Sequence, residues 1–70
     1  MKAQDFLVWM DSTGLDTAIE VSKALNASRN LSQRWVSDAK AGKDLDIKRV
    51  TALAMTAISQ GLRPWDEYER

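Results

Sequence analysis

Apolar residues recur along the chain at intervals of three and four, and no stretch alternates at period two for long enough to build a sheet. That periodicity predicts four helices. The first runs from about Ala3 to Ser12, with Phe6, Leu7 and Met10 turned inward, Trp9 on the flank and Gly14 as a left-handed stop. The second starts at Thr17, because Thr17-Ala18-Ile19-Glu20 has the spacing of a capping box, in which hydroxyl and carboxylate satisfy opposite free amides. Its inward stripe is Ala18, Ile19, Ser22 and Leu25, with Val21 beside it. Asn26-Ala27-Ser28 then interrupts the pattern with a residue that tolerates positive φ and a hydroxyl suited to cap the next helix.

A third helix is expected from Ser28 to about Ala41. At about 100° per residue, Leu31, Trp35 and Ala39 fall on one line, and Asn30, Gln33, Arg34, Ser37 and Lys40 lie opposite. Trp35 is therefore a core anchor. Gly42 and the polar segment Lys43-Asp44-Leu45 close this helix, and Asp46 is placed to cap a fourth that begins at Ile47. The fourth carries Ile47, Val50, Leu53, Ala54, Ala57 and Ile58 as its stripe, and Gly61-Leu62 before Pro64 reads as a Schellman stop. A short charged tail, residues 63–70, holds Trp65 and Tyr68. The expected architecture is all-α: one compact four-helix domain over residues 1–70, with a helix-turn-helix at about 17–41.

Composition removes several chemistries. With no Cys and no His, the chain has no disulfide, no thiolate nucleophile, no imidazole base and no zinc site of the usual kind. No metal or cofactor is expected, and an enzyme is the weakest class, because no nucleophile stands beside a base. Asp44 and Asp46 read as helix caps rather than as a metal pair. The longest apolar run, Phe6 to Met10, falls far short of the ~20 residues of a membrane span and is too short for a signal-peptide core. The cytoplasm is the expected compartment.

Ten basic and ten acidic residues give zero net charge, yet their distribution is uneven. Residues 23–49 carry +4, from Lys23, Arg29, Arg34, Lys40, Lys43, Lys48 and Arg49 against Asp38, Asp44 and Asp46, while the flanking segments carry −3 and −1. A local basic field can steer toward phosphate although the whole chain is neutral. Two short helices joined by a three-residue turn, the second packed on one face and bearing amides and a guanidinium on the other, form the geometry of a helix-turn-helix reader. Arg grips guanine O6 and N7 with two donors, and Asn or Gln pairs with adenine N6 and N7. Asn30, Gln33 and Arg34 supply those groups. Ser28 and the free amides at the helix start suit a phosphate oxygen, and Lys40, Lys43, Lys48 and Arg49 suit the neighbouring backbone.

The stretch Ala24-Leu25-Asn26-Ala27-Ser28-Arg29-Asn30 followed by Arg34-Trp35, with Gly61-Leu62-Arg63-Pro64-Trp65 beyond it, resembles the Cro/repressor (XRE-like) helix-turn-helix regulators, in particular small phage and bacterial ones. The resemblance spans about residues 15 to 65. It implies that Ser28, Arg29, Asn30, Gln33 and Arg34 face DNA, that Trp35 anchors the core, and that the protein binds an operator, usually as a homodimer. Asn26 stands where such families carry a turn glycine, and Ser32 where they carry an apolar residue three before the tryptophan. The segment from Trp35 to Gly42 is also longer than usual, which bears on Ser37 and Lys40.

One recognition helix reads few base pairs, so pairing about a two-fold axis is expected, with recognition helices ~34–36 Å apart. Candidate dimer residues are Met55, Ile58, Trp65 and Tyr68, in an apolar helix and an aromatic tail. The expected function is sequence-specific binding of duplex DNA, repressing transcription by steric exclusion at an operator. The alternative is a small protein-interaction module, a phage inhibitor or antitoxin that blocks a protein partner.

Overall fold

The computed structural model describes residues 1–67. Among these, the chain forms α1 (Ala3–Thr13), α2 (Ala18–Leu25), α3 (Arg29–Lys40) and α4 (Arg49–Ser59), followed by a short 3₁₀ turn at Trp65–Glu67, and contains no strand. The all-α expectation holds for the described residues. α2 packs most extensively on α3, α1 lies across α3 and α4, and α4 also touches α2. Among the described residues no helix is long and apolar enough to cross a membrane.

α1 turns Ala3, Phe6, Trp9 and Met10 inward, while Leu7 and Val8 face out. Trp9 is thus core rather than flank. Its indole Nε1 donates a buried 2.8 Å hydrogen bond to the Met55 carbonyl, which satisfies the one polar atom of the ring and ties α1 to α4. Phe6 lies between Trp9 and Trp35, at ring-centroid distances of 5.7 and 6.3 Å and tilted to both. On α2 the central buried residue is Val21, with Ala18 and Leu25 half-buried on its line, and Ile19 is exposed. The stripe is rotated from the expected one because Ala18, Val21 and Leu25, at three and four, form the line that meets α3.

α3 matches its expectation most closely. Trp35 and Ala39 are buried, Leu31 is half-buried, and Val36 and Ser32 widen the packed face. Ser32 has no exposed surface. A hydroxyl therefore sits in a core position, and neither Ser32 Oγ nor Trp35 Nε1 has a hydrogen-bond partner. An unpaired buried polar group carries its desolvation cost uncompensated.

The largest departure lies between α3 and α4. Asp46 caps nothing, and the fourth helix starts at Arg49 with Lys48 at its N-cap and no side-chain cap. Leu45 is buried, and its amide donates to the Met1 carbonyl (2.7 Å) while the Met1 amine donates to the Leu45 carbonyl (2.9 Å). That pairing holds the segment non-helical, with Leu45 and Ile47 packed inward and Asp46 and Lys48 outward. A tertiary contact has taken residues that local pattern assigned to a helix start. α4 in turn docks through Met55, with Thr51 and Ile58 half-buried, whereas Val50 and Leu53 of the expected stripe face outward.

Trp35→Ala is expected to abolish the cooperative thermal melt, because a buried Trp-to-Ala truncation costs ~3–5 kcal/mol and a domain of this size has little more to lose. Ser32→Ala, which deletes only an unpaired hydroxyl, is expected to leave the melting temperature unchanged or raise it. Thermal unfolding followed by circular dichroism checks both.

Candidate nucleic-acid interface

The expected reading surface is built on the α2–α3 connection. Asn26 ends α2 in the left-handed conformation (φ 52°, ψ 40°), and the Ala27 amide donates 3.0 Å back to the Ser22 carbonyl. The side chain of Asn tolerates this conformation better than most, so the residue takes over the role of a turn glycine. Ser28 follows in extended conformation, and its hydroxyl accepts the Leu31 amide at 3.1 Å. At the start of α2, Thr17 Oγ1 accepts the Glu20 amide at 3.2 Å and donates to the Glu20 carboxylate at 3.1 Å. The expected capping box is therefore half-formed, with the carboxylate on the hydroxyl.

From this entry α3 presents one edge to solvent. Ser28, Arg29, Asn30, Gln33, Arg34, Ser37 and Lys40 are all exposed, while the opposite face is fixed by Trp35, Val36 and Ala39. Lys43, Lys48 and Arg49 are exposed in the link to α4 and at its start. None of the six basic residues Arg29, Arg34, Lys40, Lys43, Lys48 and Arg49 forms an ion pair among the described residues. No carboxylate bonds to them directly, so their donors are open to an external anion.

Two of these cations share a concavity. A hollow of about 380 Å³ lies where the α2–α3 connection meets the start of α4, with Arg34 and Lys48 on it, Leu31 and Trp35 among its apolar residues, and Asn26, Thr51 and Asp46 as further polar groups. Arg29, Lys40, Lys43 and Arg49 stand outside it. Asn26 and Thr51 were not among the residues expected from the sequence. Their approach to Arg34 depends on how α4 docks, which no local pattern encodes. Asp46 is the one acidic group on the hollow and lowers the positive field there.

The expected dimer residues separate. Met55 is 3% exposed and carries the carbonyl that accepts from Trp9, so it belongs to the core and offers no surface to a partner. Ile58 is half-buried, Trp65 is 78% exposed, and Tyr68 lies outside the described residues. Compared with protein-family models, curated proteins and solved structures, the chain has no match.

Ser28→Ala is expected to cost ~1 kcal/mol through loss of the N-cap. Asp46→Ala is expected to change stability by less than ~0.5 kcal/mol, as for an ordinary surface site. Urea denaturation of the two variants checks the difference. Equal losses would mean that Asp46 holds the start of α4 after all.

Proposed function

We propose that this protein is a helix-turn-helix regulator of the Cro/repressor kind, which binds a duplex DNA operator in a sequence-specific manner and represses transcription by occupying it. The observation that carries the reading is the exposed edge of α3, where two carboxamides and a guanidinium, Asn30, Gln33 and Arg34, project from a helix whose other face is locked into the core. A rigid helix is what base readout requires, since a bidentate contact tolerates little displacement. In this reading Arg34 and Gln33 meet base edges, and Ser28 and Arg29 meet the backbone at the start of α3. Lys48, on the same hollow as Arg34, takes a flanking phosphate, and Lys40, Lys43 and Arg49 extend the basic field.

Selection of bound fragments from a random-duplex pool tests the reading directly. The expected result is a defined site whose affinity falls steeply with salt, because each neutralised phosphate releases counterions. Arg34→Ala and Gln33→Ala should each weaken the selected site by ~1–3 kcal/mol and relax its sequence preference. Lys48→Ala should weaken selected and random duplexes about equally and flatten the salt dependence. A pool that yields no enriched site, or an Arg34→Ala protein that keeps full preference, overturns the assignment and moves the weight to a protein partner as the target.

A further inference from the structure

Three of the four helix stops are glycines, Gly14, Gly42 and Gly61, and at each of them a side chain would meet nothing within 4 Å. The fourth is Asn26, the one residue other than glycine with positive φ among the described residues. It is also the one stop of the four that borders the hollow of Arg34 and Lys48. Glycine is the cheaper residue in this backbone conformation, because it has no Cβ to strain. What the asparagine adds to the turn is therefore its carboxamide, and the surroundings of that group decide its use.

Asn26 is exposed and makes no side-chain hydrogen bond among the described residues. It lies on two concavities. One is an apolar trough bordered by Ala54, Ala57 and Leu62, whose other polar side chains, Arg63 and Trp65, are donors only. The other is the hollow, where Arg34, Lys48 and Asp46 are its charged neighbours and Thr51 a neutral one. Two cations against one carboxylate leave a net positive charge there. Thr51 is half-buried, and its hydroxyl likewise makes no bond among the described residues. α4 starts at Lys48 without a side-chain cap, so its first amides are unsatisfied and favour a negative charge. The group that fits among these donors is an anion with several acceptor oxygens.

We propose that Asn26 is a phosphate-binding residue, whose carboxamide donates to the same duplex phosphate that Lys48 takes. The inference rests on the reading of α3 as a DNA-binding helix, and it adds a contact from a position where the regulators that the sequence resembles carry glycine. Asn26 is neutral, which gives its contact a signature of its own. A cation that binds phosphate displaces counterions and steepens the salt dependence, whereas an amide on the same phosphate adds affinity without changing the slope. A residue that touched a base edge, or that held Arg34 in place, would instead alter the preference between sequences.

Duplex binding across a salt series, followed by fluorescence anisotropy with the selected site and with a random duplex, decides it. Asn26→Gly is expected to melt within a few degrees of wild type, because relief of left-handed strain and the added freedom of unfolded glycine oppose each other. It should bind both duplexes about two- to tenfold more weakly, with the salt slope of wild type. Asn26→Asp, which also tolerates the turn but sets a carboxylate toward the phosphate, should bind both more weakly still, most of all at low salt. An Asn26→Gly protein that binds both as tightly as wild type overturns the proposal, as does one that loses affinity only for the selected site. If Asn26→Gly melts well below wild type, Asn26→Asp replaces it, and undiminished binding by Asn26→Asp overturns the proposal in the same way. Arg34→Ala in the same series separates this failure from that of the reading beneath it. Lost preference in Arg34→Ala beside unchanged binding in Asn26→Gly removes the role of Asn26 alone, whereas a wild type that binds no duplex removes both.

Discussion

Phe6 is fully buried, with the rings of Trp9 and Trp35 packed at its sides, and through these contacts one residue of α1 organises three helices. Trp35 brings in α3 and thereby fixes which edge of that helix meets solvent. Trp9 brings in α4, because its indole N–H reaches the Met55 carbonyl and positions that helix as it packs. Tilted aromatic pairs at these separations add stabilisation beyond the area they bury. In a chain too short for a second layer of core, the outward aim of Asn30, Gln33 and Arg34 rests on this aromatic group. The hollow shared by Arg34 and Lys48 rests on it as well, since it exists only where α4 has docked.

A second constraint acts at the helix ends. Each of the four helices closes with an amide that donates back five residues, Leu15 to Met10, Ala27 to Ser22, Lys43 to Asp38 and Leu62 to Ala57. The residue just before each donor has positive φ: Gly14, Asn26, Gly42 and Gly61. Four stops of one geometry give sharp reversals and short connections, which is how four helices fit into so short a chain. At the α2–α3 connection the stop is an asparagine rather than a glycine. A polar side chain thereby reaches the hollow at a position where glycine has nothing to offer.

The parts legible in the sequence were those decided by neighbours in the chain. The existence of the four helices follows from periodicity, their ends from Gly14, Asn26, Gly42 and Gly61, the caps from Thr17 and Ser28, and the two faces of α3 from the contrast of Trp35 and Ala39 with Asn30 and Arg34. What was not legible was decided by partners distant in sequence. Asp46 has the chemistry of a cap, but Met1 pairs with Leu45 and keeps the segment from coiling. α4 is apolar on more than one side, so pattern alone cannot choose between Met55 and Val50 for the interior. Trp9 gives no local sign that its N–H has an acceptor in α4. Of the candidate surface, the outward residues of α3 could be read from spacing. The meeting of Arg34, Lys48, Asn26 and Thr51 could not.

The two backbone acceptors that close the structure lie far along the chain from their donors, 44 positions for Met1 to Leu45 and 46 for Trp9 to Met55. Most small helical proteins are dominated by local contacts and fold fast for that reason. Here the first helix can meet α3 through Phe6 and Trp35, but neither bond forms until the chain beyond α3 is present and the loop between its ends has closed at an entropic cost. A chain cut before α4 would keep the residues of the α2–α3 packing but lose the acceptor of Trp9. During synthesis the early part of the chain would wait, unprotected, for the late part, and such an interval leaves a protein open to proteases before it has formed any surface with which to act.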